Sequence, residues 1–158
     1  MAVQDWRRFP VTGISLVDIE GYLEWLDRSG RVPGARLCNE WEWERAARGA
    51  DDRTYTTGSL LPSNAVNIDL TYGRDTVAFG PDEVGSHPES DSPFGLHDLE
   101  GNALEMVTSG RPHEPAVGRG GCWYYDTFSG RITSREIFEP QTRSVYLGFR
   151  VCASRDSL

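Results

Sequence analysis

Apolar residues recur at helical spacing twice near the start of the chain and then lose their rhythm. Ile19, Tyr22, Leu23 and Leu26 fall on one face of a helix. Ser15 stands just before them with Asp18 three residues on, so hydroxyl and carboxylate can cap each other's backbone, and Gly30 is placed to stop the helix. A second helix is predicted from Asn39 as N-cap, with Glu42 in the reciprocal position and Gly49 as its end. Trp43, Ala46 and Ala47 form its buried face, and the small alanines let it lie close to a sheet. Both helices read as scaffold.

From Ala50 to Pro93 the periodicity disappears. The segment is rich in Asp, Gly, Ser, Pro and Thr, with short apolar pieces such as Thr76-Val77-Ala78-Phe79. A loop of this length in a compact domain is functional, or is held by something other than a core. Further on, Gly118 to Trp123 and Leu147 to Cys152 read as short strands. Phe149 and Val151 alternate with Arg150 as in a half-buried strand, and Gly120-Gly121 implies a bulge or a close backbone approach. The two strands are expected to pair in a central antiparallel sheet. The expected fold is therefore α+β: one domain over residues 1–158, with two helices flanking a small antiparallel sheet and long irregular loops.

Composition narrows the function. With 158 residues and 11% aromatics, the chain can bury a real core. A formal charge of −8 argues against nucleic acid, whose phosphates call for Lys and Arg. No apolar run reaches the roughly 18 residues of a membrane span, and the N-terminus lacks a signal-peptide core, so no membrane partner is expected. Cys38, Cys122 and Cys152 are few and scattered. Their odd number leaves at least one thiol free within a chain, which suits a reducing, cytoplasmic compartment.

Three motifs stand in order: Asn39-Glu40-Trp41-Glu42-Trp43-Glu44-Arg45-Ala46-Ala47-Arg48-Gly49, then Phe94-Gly95-Leu96-His97-Asp98-Leu99-Glu100-Gly101-Asn102-Ala103-Leu104-Glu105, then Arg119-Gly120-Gly121-Cys122-Trp123 with Leu147-Gly148-Phe149-Arg150-Val151. Together, from about Pro10 to Val151, they resemble the formylglycine-generating enzyme family, the sulfatase-modifying-factor domain, whose fold is a variant of the C-type lectin fold. Members usually carry more chain before the Pro-Val-Thr-Gly segment, so the resemblance implies an upstream portion, either trimmed or part of a larger parent.

The resemblance implies a structural calcium ion held by Asp98, the Gly101 and Ala103 carbonyls and Glu105, an oxygen set suited to a hard cation. The other reading of these residues is that Asp98 caps a turn and Glu105 pairs with an arginine. A weaker second set is Asn67, the Ile68 carbonyl, Asp75 and the Val77 carbonyl, although Asn67 and Asp75 are also ordinary turn residues. The family's enzymes hold copper(I) on two cysteines, soft ligands for a soft ion. Counted from Arg119, these fall at Tyr125 and near Gly130, neither of which carries sulfur. Cys122 reads instead as a small buried residue. A related branch uses iron, but His87, His97 and His113 show no two-histidine, one-carboxylate spacing. His97 reads as packed. Neither copper nor iron is expected.

What remains is a displayed surface. Tyr124, Tyr125, Asp126 and Phe128, with Ser144, Val145 and Tyr146, have the composition of adaptable binding surfaces, although Tyr also packs in cores. Arg131, Arg135, Pro140 and Arg143 keep a register similar to that of variable proteins of diversity-generating retroelements, a non-catalytic branch with the same fold. Arg131, Arg135 and Arg150 would hold the loops from below by pairing with carboxylates such as Glu42 or Glu105. The expectation is a non-catalytic domain that binds a protein ligand, with calcium in a structural role. The alternatives are a sensory or accessory module fused to a larger signalling or effector protein, such as a bacterial kinase, or an enzyme of unrecognised chemistry.

Overall fold

The computed structural model describes residues 4–111, 113–114 and 116–154. Helix α1 spans Leu16–Arg28 behind the expected capping box. The Ser15 backbone N–H donates to Asp18 at 2.8 Å, and the Ser15 side chain accepts from the Asp18 backbone. Leu16, Ile19, Leu23 and Leu26 are buried, whereas Tyr22 stays half exposed and sets its ring edge-on against Phe149. Helix α2 spans Glu40–Arg48, capped by Asn39 and Glu42, and Gly49 ends it at positive φ. Trp43 and Ala47 are buried under it.

Strand β1 (Ala35–Leu37) lies between the helices. After the long loop come β2 (Leu104–Val107), β3 (Ala116–Arg119), β4 (Glu136–Phe138), β5 (Leu147–Phe149) and β6 (Val151–Ala153). They form a four-stranded sheet in the order β4-β3-β2-β5 and a two-stranded sheet of β1 and β6.

The expected direct pairing of the Gly118 and Leu147 segments does not occur. Strand β2 lies between them, antiparallel to β3 and parallel to β5. All four β2 residues are buried, so the strand shows no alternation and its sequence hides it. The Leu147 segment also splits at Arg150 into two strands of different sheets, and the expected alternation is inverted there: the Arg150 guanidinium turns inward and Val151 is exposed.

One apolar core packs α1 against the four-stranded sheet through Leu23, Leu104, Met106, Phe138 and Leu147. A second, around Trp43, Leu99, Val107, Val117 and Ile132, lies under α2. Cys38 and Cys152 form a disulfide across 114 residues. The reading of scattered thiols is corrected by this: β1 and β6 are neighbours only in the folded chain, with Arg36 opposite Cys152. One thiol, Cys122, stays free as the odd count required, but the disulfide weakens the argument from scattered cysteines to a reducing compartment.

Buried polar nodes hold the long loop where the core does not reach. Asp82 accepts from Tyr72, His87 and Gln4 at 2.6, 2.8 and 2.6 Å. Glu100 accepts from the Thr56 backbone and hydroxyl at 2.7 and 2.8 Å. Among the described residues no helix is long and apolar enough to cross a membrane.

Candidate functional site

The chain leaves β3 through Gly120 and Gly121, both at positive φ. A side chain on Gly120 would sit 2.6 Å from the Leu99 carbonyl, and one on Gly121 would press on the Ser129–Gly130 backbone at 3.0 Å. Only glycine permits this double turn, after which residues 122–130 leave the strand. Trp123 N–H then bonds the Asn102 carbonyl, and the Tyr125 carbonyl accepts from Asp69 N–H.

The result is a continuous wall of rings. Phe79 meets Trp123 edge-on at 4.9 Å. Trp123 meets Tyr124 at 5.8 Å, and Tyr124 stacks on Tyr146 at 6.2 Å with only 6° between their planes. Tyr125 lies 5.2 Å from Tyr146, and their hydroxyls are 3.2 Å apart. Such pairs are worth about 0.5–1.5 kcal/mol each beyond area burial. Tyr124, Asp126, Phe128 and Val145 are exposed, and Ser144 is half-buried. Tyr125 and Tyr146 are also half-buried, resting on the first core.

The structure thus brings Tyr124, Tyr125 and Tyr146 of the expected surface residues into ring contact, and Tyr124, Asp126, Phe128 and Val145 are open to solvent. The sequence reading missed Phe79, which lies in the featureless loop, and Trp123, read as part of a strand. Only folding sets Phe79 beside Trp123 and Tyr124.

Next to this wall is a cleft of about 220 Å³ lined by Leu104, Gly118, Tyr125, Phe128, Ser134 and Glu136, among others. One side is held by an ion-pair ladder. Buried Arg119 donates to Glu40 and Glu44 at 3.1 and 2.9 Å and to the Ile132 carbonyl at 2.5 Å. Arg135 donates to the same Glu40 and to Glu114, both at 2.7 Å. Arg135 therefore anchors its loop from below as expected, though on other carboxylates. Glu42 instead binds Arg36 through both oxygens. Arg131 lies over the Phe128 ring at 4.2 Å from its centroid.

The expected calcium set lies elsewhere, around a cleft lined by Asp98, Asn102, Ala103, Glu105 and Arg150. Glu105 accepts from Arg150 at 2.6 and 3.0 Å and from the Trp43 indole at 2.7 Å. Asp98 accepts from Gly85 N–H, and burial pushes its carboxyl above the usual range. The set fits a hard cation in ligand type, but in this arrangement Arg150 already balances the Glu105 charge. In the second set, the Asn67 amide donates to the Gly80 carbonyl thirteen residues on, and Asp75 accepts from Val77 N–H in a local turn contact. Among the described residues no three His, Cys, Asp or Glu side chains are grouped to hold a metal. His97 is half exposed and bonded to Asp91 at 2.7 Å, not packed in the interior as read from sequence.

A family model described as the sulfatase-modifying factor enzyme 1-like domain matches residues 1–155. The chain belongs to this family.

Among curated relatives of this sulfatase-modifying-factor domain, the chain is 32% identical over 169 residues to inactive C-alpha-formylglycine-generating enzyme 2 of Bos taurus, covering 96% of this chain and 52% of the relative. It is 31% identical over 115 residues to formylglycine-generating enzyme of Mycobacterium tuberculosis, covering 68% and 36% of the two chains. The chain spans about half the length of the inactive relatives it matches. Treponema denticola variable protein 1 shares the fold with a TM-score of 0.82 at 17% identity, over 96% of this chain and 73% of that one. PvdO from Pseudomonas aeruginosa does so with a TM-score of 0.75 at 23% identity, over 94% and 63%.

Against the sulfatase-modifying-factor family, the copper-cysteine positions implied by the resemblance fall at Tyr125 and near Gly130. Cys122 remains as a free thiol, fully buried beneath the ring wall, and burial pushes it up to about 11. Such a thiol is neither a nucleophile near neutral pH nor an accessible metal ligand.

Proposed function

We propose that this chain is a non-catalytic ligand-binding domain whose contact surface is the ring wall and its neighbours, and whose ligand is a protein. One observation carries the reading. Where the resemblance puts the first reactive cysteine, Tyr125 stands, its hydroxyl within 3.2–3.3 Å of Tyr146 and Glu136. The position has thus become part of an aromatic surface. Tyr124, Phe128 and Val145, with more than half of their surface exposed, add apolar area beside polar Asp126 and Ser144. Rigid rings of this kind offer contact area at low entropic cost. That two relatives bear the name inactive, and that a variable protein shares the fold, supports the reading.

Two experiments test it. Incubation with copper and a cysteine-containing peptide should leave the peptide mass unchanged; conversion of the cysteine would overturn the non-catalytic reading. Binders selected from a displayed library against the native chain should lose at least about tenfold in affinity for a Tyr124→Ser, Phe128→Ser double variant, as expected when central aromatic anchors are removed. Equal binding to both would move the contact surface elsewhere.

A further inference from the structure

The cleft beside the ring wall has a charge that the fold leaves open. Its floor is Gly118 of β3 and Leu104 of β2. A side chain at Gly118 would strike Leu104 at 2.2 Å and Phe138 at 2.6 Å, so this floor stays low. Glu136 of β4 lies opposite Gly118 in the strand register, with its carboxylate 3.3 Å from the Tyr125 hydroxyl. Among the described residues no basic side chain forms an ion pair with Glu136. The adjacent Arg135 turns the other way, to Glu40 and Glu114. Rings line the same cleft through Tyr125 and Phe128. Arg131 already stacks on Phe128, which shows that this ring accepts a guanidinium over its face.

A carboxylate with no basic partner among the described residues, between aromatic walls and over a floor without side-chain bulk, is complementary to a flat cation on an apolar stem. From this the geometry points to Glu136, Tyr125 and Phe128 as a receptor for an arginine side chain presented by the protein ligand. Guanidinium suits the site better than ammonium because it is more weakly hydrated, stacks on rings and bonds a carboxylate through two parallel N–H groups. The burial-driven rise of the Tyr125 phenol, to which the Glu136 charge adds, keeps that hydroxyl protonated and able to donate to the carboxylate. The assignment rests on the ligand-binding reading and gives that ligand a chemical signature.

The test is an NMR titration of the full chain with N-acetyl-arginine methylamide, alongside the isosteric but neutral N-acetyl-citrulline methylamide. The arginine probe should perturb the amides of Gly118, Ser129, Ser134 and Glu136 and bind at least about tenfold more tightly than the citrulline probe, the scale of one charge-assisted contact. Glu136→Gln should reduce the arginine probe to the citrulline level. Equal binding of the two probes, or perturbation confined to another face, overturns the assignment without recourse to any variant. The titration does not depend on catalysis. Loss of arginine preference therefore removes this inference alone, whereas oxidation of a thiol peptide would remove the reading beneath it.

Discussion

Arg150 holds both carboxylate oxygens of Glu105, at 2.6 Å through Nη2 and 3.0 Å through Nε. The pair ties the junction of β5 and β6 to the central strand β2, in line with the Trp43 indole that donates to the same carboxylate. A charge this well matched on one side is costly to leave alone.

Replacing Arg150 by Met should therefore cost about 3 kcal/mol, because an uncompensated buried carboxylate remains. Urea denaturation measures this, and the double variant with Glu105→Gln should recover part of the loss. The same pair bears on calcium. With Arg150 seated on Glu105, a strong chelator should leave the melting temperature unchanged. A fall of several degrees would instead place the cation on Glu105, since a ligand bound only by the folded state stabilises it.

The two tyrosines that follow Trp123 should respond differently to truncation. Tyr125 rests half-buried on the first core, so Tyr125→Ala should cost about 2–3 kcal/mol, somewhat less than a fully buried large ring. Tyr124, 53% exposed, should cost less than about 1 kcal/mol as Ala. Equal losses would show that the two rings share one environment.

Reduction of the Cys38–Cys152 bond, or Cys152→Ser, should lower stability by roughly 2–4 kcal/mol, because the link closes most of the chain and restricts its unfolded state. Denaturation with and without reductant measures it. Thiol labelling that finds three reactive cysteines in the unfolded, unreduced chain would refute the bond.

Stability should also depend on pH through Glu100. Burial raises its carboxyl to about 7 against the two Thr56 hydrogen bonds, which act to lower it. A raised folded-state value means the protonated form is the better guest. Its contribution is complete below the ordinary carboxylate range and fades as pH rises through about 7. Glu100→Gln keeps a neutral side chain and should flatten this part of the profile in denaturation at several pH values. An unchanged slope would assign the dependence to other groups, such as His87, which Asp82 raises.

Much of the scaffold was legible because its signals are local. Ser15 with Asp18, and Asn39 with Glu42, act over three residues, and both helices begin where these pairs say. The Arg119-Gly120-Gly121 turn was legible for the same reason: its glycines answer to close backbone contacts. The long loop was not legible. Its anchors, Asp82 to Tyr72 and His87 and Glu100 to Thr56, are isolated polar contacts that leave no periodic trace.

The sequence by itself determined the two helices, the glycine turn and the family, and it determined that no sulfur stands at Tyr125 or Gly130. Capping, backbone conformation and residue identity are short-range properties, and they survive in a string of letters. Only the tertiary structure decided that β2 separates β3 from β5, that Cys38 meets Cys152 and that Phe79 joins Trp123 in one wall. It alone also turned Arg135 away from Glu136. Each of these depends on segments distant in the chain, or on the direction in which a side chain points, and burial and charge pairing fix such relations only when the whole chain closes on its cores.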